Sequence, residues 1–209
     1  MPVIDLLATT LGRKDEAPNL ELAQDIATRK DKKSLDELAA LLRHKSKDIQ
    51  SDSIKVMYEV AAIAPKLVAG FLPLFAELLD SKNNRLQWGA MTAISAVTPA
   101  VPEEVYAVLP RVLAAADKGS VITKDHAVQV LIRLAALPGY TGQMIPLLLE
   151  QLQQALPNQL PMYAEQVMTV IPDGNKESFI KVLQSRLADM EKESKRKRVE
   201  KVISKLQKR

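Results

Sequence analysis

FLPLFAELLDSKNNRLQWGAMTAISAV, residues 71–97, holds two amphipathic segments separated by a short polar break. In the second segment Leu86, Ala90, Ala93, Ile94 and Val97 recur at helical spacing and form one apolar stripe. Gly89 and the alanines beside it permit close approach of another helix. A hairpin of this size cannot cover its own stripe, so a neighbouring hairpin has to do so. The fold therefore turns on whether the pattern recurs.

It recurs in VLPRVLAAADKGSVITKDHAVQVLIRLA (108–135) and in MIPLLLEQLQQALPNQLPMYAEQVMTVI (144–171). Two columns of proline mark the register. Pro73, Pro110 and Pro146 lie 37 and 36 residues apart, while Pro65, Pro99, Pro138 and Pro172 lie 34, 39 and 34 apart. A period of about 35–40 residues is the signature of stacked repeats. The second column is expected to stop the second helix of each pair, because proline lacks an N–H and disfavours α conformation in the residue before it. The first column falls inside the first helix, where proline costs roughly 3 kcal/mol relative to alanine. The three are expected to kink that helix at the same depth in each repeat.

Working outward, Ser34 and Glu37 read as a capping box for a helix running to about His44. Asp48 reads as the cap of the next helix, which carries Ile49, Ser53, Val56, Val60 and Ile63 and stops at Pro65. Short breaks force consecutive helices to run antiparallel. The expected organisation is a single all-α domain over 1–209 with about five antiparallel helix pairs. Residues 1–32 form N-terminal capping helices, and 33–65, 66–99, 100–138 and 139–172 form helix-pair repeats. Residues 173–209 form a C-terminal pair whose last helix is a basic cap.

The repeats resemble the HEAT family of armadillo-like α-solenoids. That pattern has a proline in the first helix, an Asp in the turn and a basic residue entering the second helix. Pro73, Asp80 and Arg85 match it, as do Pro110, Asp117 and Lys124. The repeat around Pro146 keeps the proline but has Pro157, Asn158 and Pro161 where the turn Asp and basic residue would stand. The pair around Leu38 lacks the interior proline. The resemblance covers about residues 34–172, and both ends more weakly. It implies a right-handed α–α superhelix and a non-catalytic scaffold that binds protein through the inner surface formed by its second helices. It also admits a nucleic-acid-binding alternative, like the HEAT-like DNA alkylation-repair glycosylases.

Composition limits the chemistry. There is no cysteine, which excludes disulfides, thiolate metal sites and cysteine nucleophiles. The N-terminal run lacks a basic segment ahead of it and is a poor secretory signal. No apolar stretch reaches the roughly 18–20 residues of a membrane span. A cytoplasmic protein is expected. The formal charge is +4, but residues 191–209 carry nine Lys/Arg against three Glu. The other 190 residues carry 20 basic and 22 acidic side chains, a net −2. A body built to track phosphates should be basic along its length. Nucleic acid is therefore not expected on the body, though the tail could meet it.

The sequence offers no catalytic constellation. His44 and His126 are the two histidines, too few for a metal site of three or four ligands. The acidic pairs Asp36-Glu37 and Glu103-Glu104 stand in first turns of helices, where the helix dipole favours them. No phosphate-binding glycine loop or nucleophile elbow is present. No catalytic residue, metal or cofactor is assigned.

Contact candidates come from the second helices: Lys55, Gln87, Met91, Gln129, Arg133 and Gln166. Trp88, the one tryptophan, is either an exposed anchor with Met91 or a wedge between repeats. Residues 134–172 hold six glutamines and two charges, Glu150 and Glu165, with Met144, Met162, Met168, Tyr140 and Tyr163. Such composition suits an interface core, with Tyr163 and Gln166 as its contacts. In the tail, Val199, Val202, Ile203 and Leu206 share one face, opposite Lys195, Arg196, Lys197 and Arg198. A capping helix explains that pattern, and an anionic partner or membrane surface is the alternative.

Overall fold

The computed structural model describes residues 1–208. Those residues contain helices and turns and no strand. The α-helices are α1 (Ala17–Arg29), α2 (Lys32–Leu41), α3 (Lys47–Ile63), α4 (Pro65–Val68), α5 (Leu72–Leu78), α6 (Asn84–Val97), α7 (Pro102–Lys118), α8 (Val121–Ala135), α9 (Thr141–Gln154), α10 (Leu160–Val167), α11 (Lys176–Ser185) and α12 (Glu193–Lys208). None of the described helices is long and apolar enough to cross a membrane. The chain divides into two compact units, residues 1–130 and 131–209.

In the N-terminal unit, α2 packs on α3 and α5 on α6, as hairpins. Like then packs on like: α3 lies against both α1 and α6, and α5 lies against α7. The stripe on α6 is the reason. Leu86, Ala90, Ala93, Ile94 and Val97 are all buried. Gly89 is essential to that approach, because a Cβ there would lie 2.7 Å from Ile54 Cγ1 on α3.

Two helix starts differ from expectation. The cap of α2 is Asp31, whose carboxylate accepts from the Ser34 amide (3.0 Å) and from the Ser34 hydroxyl (2.7 Å). Ser34 is thus the donor to a cap three residues upstream, and the expected Ser34–Glu37 box does not form. The α3 helix starts at Ser46, whose hydroxyl accepts from the Ile49 amide, so Asp48 lies in the first turn and is not the cap.

The first proline column does not act uniformly. Pro110 lies within α7 and Pro146 within α9. Pro73 instead opens α5, because the first helix of that repeat is broken into α4, a 3-10 turn at Ala69–Phe71, and α5. Gly70 supplies the weak point, and the ring of Pro73 would clash with the carbonyl four residues back, at Ala69. Three of the second column stand just past helix ends, α3, α6 and α8 stopping before Pro65, Pro99 and Pro138, whereas α10 has already ended at Val167, well short of Pro172.

The first nine residues are held through their backbone. Glu37 Oε2 accepts from the Val3 amide (3.0 Å), Asn19 Oδ1 from Ala8 (3.0 Å) and Asp52 Oδ2 from Thr9 (2.7 Å). The Asn19 amide donates to Asp52 Oδ1 at 2.8 Å, which joins α1 to α3 beneath that segment.

In the C-terminal unit, α9 pairs with α10 and α11 with α12; α9 also packs on α11 and α10 on α12. Val199, Val202, Ile203 and Leu206 of α12 are buried by these contacts. Arg186, just past α11, is 8% exposed and donates to the carbonyls of Leu152 and Ala155 at 2.9 and 2.8 Å, and to that of Gln153. These carbonyls end α9, where intrahelical donors have run out.

Candidate aromatic and charged surface on the second helices

On α3, Lys55, Tyr58 and Glu59 stand within one turn. On α6, Arg85 and Trp88 do the same. The packing of α3 on α6 brings the two sets together. The Tyr58 and Trp88 rings meet with centroids 5.7 Å apart and planes tilted by 48°. Lys55 Nζ lies 5.1 Å from the Tyr58 centroid, and the Arg85 guanidinium lies 5.1 Å from that of Trp88. Each ring therefore has a cation over it, an arrangement attractive through the ring quadrupole.

A line of alternating charge runs beside the rings. Lys55 Nζ contacts Glu59 Oε1 at 2.8 Å and Glu16 Oε2 at 3.0 Å, and Glu16 Oε1 lies 4.0 Å from Arg85. Burial works against the Lys55 charge, but its hydrogen bonds to Glu59, Glu16 and Tyr58 prevail and hold the ammonium protonated well above the usual lysine range. Burial likewise pushes the Tyr58 phenol up. Two carboxylates balance two cations, so the surface has shape and aromatic character without net charge.

The structure sorts the contact candidates. Trp88 is half-buried: it is neither a free anchor nor wholly an internal wedge. Lys55 is spent on its own ion pairs, with a side chain 14% exposed. Met91 is fully buried and belongs to the core between helices, and Tyr163 is 4% exposed; neither can meet a partner as an exposed side chain. Their position on the helix turns them inward, toward the apolar stripe. Gln129 and Gln166 are half-buried and Arg133 is exposed. Gln87 donates to the Leu79 carbonyl at 2.9 Å and so ties α6 to the turn after α5.

Gln87 has a counterpart that the sequence did not announce. Gln50, at the same place in α3, donates to the His44 carbonyl at 2.7 Å, in the loop that leads from α2. Gln50 also accepts from the Asn83 side chain at 2.8 Å, linking successive repeats. The 37-residue spacing of the two glutamines was the available signal.

The basic tail run is engaged within its own unit. Lys195 donates to Asn158 Oδ1, Arg196 to the Leu187 carbonyl (3.3 Å), Lys197 pairs with Glu193 (2.7 Å), and Arg198 grips Glu165 through two hydrogen bonds of 2.8 and 2.6 Å. The hydrogen bond from Arg198 holds the Glu165 carboxyl below its ordinary range. A depressed acid stabilises above its unfolded pKa and loses that contribution as pH falls through its folded value. Both groups are largely exposed, so the pair contributes less than about 1 kcal/mol. Glu165→Gln should lower Tm at pH 7 by about 1–3 °C. The difference should be full above the ordinary glutamate range and shrink as pH falls through the depressed folded value, as differential scanning calorimetry across a pH series can show.

Among the described residues no three His, Cys, Asp or Glu side chains converge on a position that could hold a metal ion. No family model and no curated protein matches the sequence. Solved structures do match. A designed armadillo repeat protein in complex with the peptide (KR)4 superposes with a TM-score of 0.66 at 16% identity, over 90% of this chain and 91% of that one. A second designed armadillo repeat protein gives 0.64 at 18% identity, over 98% and 99%. An engineered protein gives 0.65 at 18% identity, over the full length of both chains. The chain is similar to these in fold, an all-α armadillo-like repeat architecture.

Proposed function

We propose that this armadillo-like chain is a non-catalytic scaffold that binds a protein segment across α3 and α6, with Trp88 as the central contact. The observation that carries the reading is the arrangement of Trp88. The ring is held by Tyr58 and Arg85, and part of the side chain stays exposed. A large aromatic held rigid before binding loses little entropy when a partner covers it, and Trp, Tyr and Arg are the residues enriched at binding hot spots. Arg85 and Glu16, both about half exposed, offer opposite charges at its edge. The designed armadillo repeat protein that binds the peptide (KR)4 makes a peptide-like occupant reasonable for this fold. The charge balance argues against a nucleic-acid backbone as ligand, since phosphate binding draws on clustered cations. The cytoplasm is the proposed location, in keeping with a cysteine-free chain.

Trp88 also supplies the test, because its emission reports this surface alone. Affinity purification from the native cell with wild-type chain, Trp88→Ala and Arg133→Ala comes first. A protein recovered by wild type and Arg133→Ala, depleted by Trp88→Ala, and able to shift Trp88 emission when titrated in pure form supports the reading. Loss of Trp88 should weaken that partner by about 2 kcal/mol or more, near thirtyfold. Partners retained in full by Trp88→Ala would overturn it.

A further inference from the structure

We infer a second docking site in the N-terminal unit, a lysine-rimmed apolar hollow that takes an acidic protein segment carrying a bulky apolar side chain. The hollow has a volume of about 560 Å³ and is lined by Ala27, Lys30, Lys32, Ala64, Pro65, Lys66 and Leu67. It lies where the end of α1 and the start of α2 meet the junction between α3 and α4. A volume of this size falls within the range of binding pockets, roughly 300–1,000 Å³. It shares no residue with the Trp88 surface, so the two can be tested apart.

The lining is chemically one-sided. It contains three lysines and no carboxylate. Elsewhere in the same unit Arg13, Arg29, Arg43, Arg85 and Arg111 pair with carboxylates, while of the lysines Lys55 does so and most do not. Among the described residues Lys30, Lys32 and Lys66 have none. Their ammonium groups can stay hydrated while their methylene stems extend the apolar wall. The floor of Ala27, Ala64, Pro65 and Leu67 is made of small and medium side chains, which leaves room for a large one. Just before Ala64, Ile63 is 48% exposed and adds apolar surface at the same junction.

A second, independent feature concerns Lys30. It is the one non-glycine residue with positive φ among the described residues, at φ 54° and ψ 43°. It ends α1, its amide bonded back to Ala27 and that of Asp31 to Ile26. This is the helix-ending position where glycine is usual, because a side chain in left-handed conformation is strained. Lysine stands there despite the strain, with its side chain in the wall of the hollow. Complementary charge and an apolar floor together select an acidic segment with an apolar anchor. A purely anionic ligand would leave the floor uncovered, and a purely apolar one would bury no charge partner for the lysines.

The experiment uses the full chain and fluorescein-labelled peptides, read by anisotropy. The probe is Glu-Asp-Glu-Phe-Leu-Glu-Asp-Glu. One control replaces its acids with Lys, and another replaces Phe-Leu with Ser-Ser. The probe should bind with Kd in the micromolar range and both controls at least about tenfold more weakly. Lys32→Glu with Lys66→Glu should weaken the probe at least about tenfold, with unchanged circular dichroism. Lys30→Gly should weaken it about threefold while raising Tm, which separates loss of contact from loss of folding. Trp88→Ala should leave the probe's affinity unchanged. Absence of probe binding would overturn the inference. So would equal binding by the lysine variants, or binding of vesicles of phosphatidylglycerol and phosphatidylcholine in preference to the peptide.

Discussion

Arg186→Met destabilises the C-terminal unit by about 3–4 kcal/mol, the loss expected when a buried, multiply bonded cation is removed. Methionine fills a similar volume with flexible apolar atoms, so little of the effect is a cavity. What goes is a set of charge-assisted hydrogen bonds. The carbonyls of Leu152, Gln153 and Ala155 lose their donor, and Asp189 loses its partner. The first of these groups sit at the C-terminus of α9, where the helix dipole also favours positive charge. Arg186→Lys keeps the charge but replaces a planar fork by a single ammonium, and it should recover less than half of the loss. Hydrogen exchange on the amides of α9 and α11 is the direct measurement. Protection factors in those helices should fall by two orders of magnitude or more in the Met variant, at about 1.4 kcal/mol per factor of ten. Protection within a factor of two of wild type would show that Arg186 does not carry this helix end.

The second large effect is at Gly89. Leucine there should cost about 3 kcal/mol or more, because its first carbon would already fall 2.7 Å from Ile54 Cγ1 and 3.1 Å from Cγ2. The helix-propensity gain from removing glycine, about 1 kcal/mol, is too small to offset this. The clash is with one side chain, so it should be separable. Ile54→Ala alone leaves a cavity and costs about 2–5 kcal/mol. Combined with Gly89→Leu, the two changes should interact favourably by at least about 1 kcal/mol in a double-mutant cycle read by urea denaturation. Additive losses would mean that the helices move apart rather than repack.

How much of this could be read from the residues depends on the length scale. Periodicity gave the helices, their pairing and the stripe on α6, because a 3.6-residue repeat of apolar side chains has few other uses. The proline columns located the ends of α3, α6 and α8. They misled over Pro73, since Gly70 three residues earlier lets the helix break there, whereas α7 and α9 run on through Pro110 and Pro146. Caps were harder. Asp31, Ser34 and Glu37 all have capping chemistry, and their choice depends on where the chain arrives, not on their identity. Arg186 was invisible, because nothing in its neighbourhood tells that it will find the end of a helix some thirty residues earlier. Among the surface candidates, Trp88 stood out by type, but Met91 and Tyr163 went inward because a second helix here is covered on more than one side. The hollow at Lys30 had no sequence signal at all; it depends on a left-handed residue that one-dimensional patterns do not reveal.

The latch on the first residues has an evolutionary consequence. Val3, Ala8 and Thr9 are held by their main-chain amides, and every non-proline residue owns such an amide. The hydrogen bonds are therefore indifferent to which side chains stand at those positions. Constraint passes to the acceptors Asn19, Asp52 and Glu37, scattered over three helices. Thr9, which is exposed, is free to drift among all residues but proline, while Asn19, buried and bonded on both sides of its amide, is not. Of the three anchored positions Thr9 alone is open to such change, because the side chains of Val3 and Ala8 are buried as well.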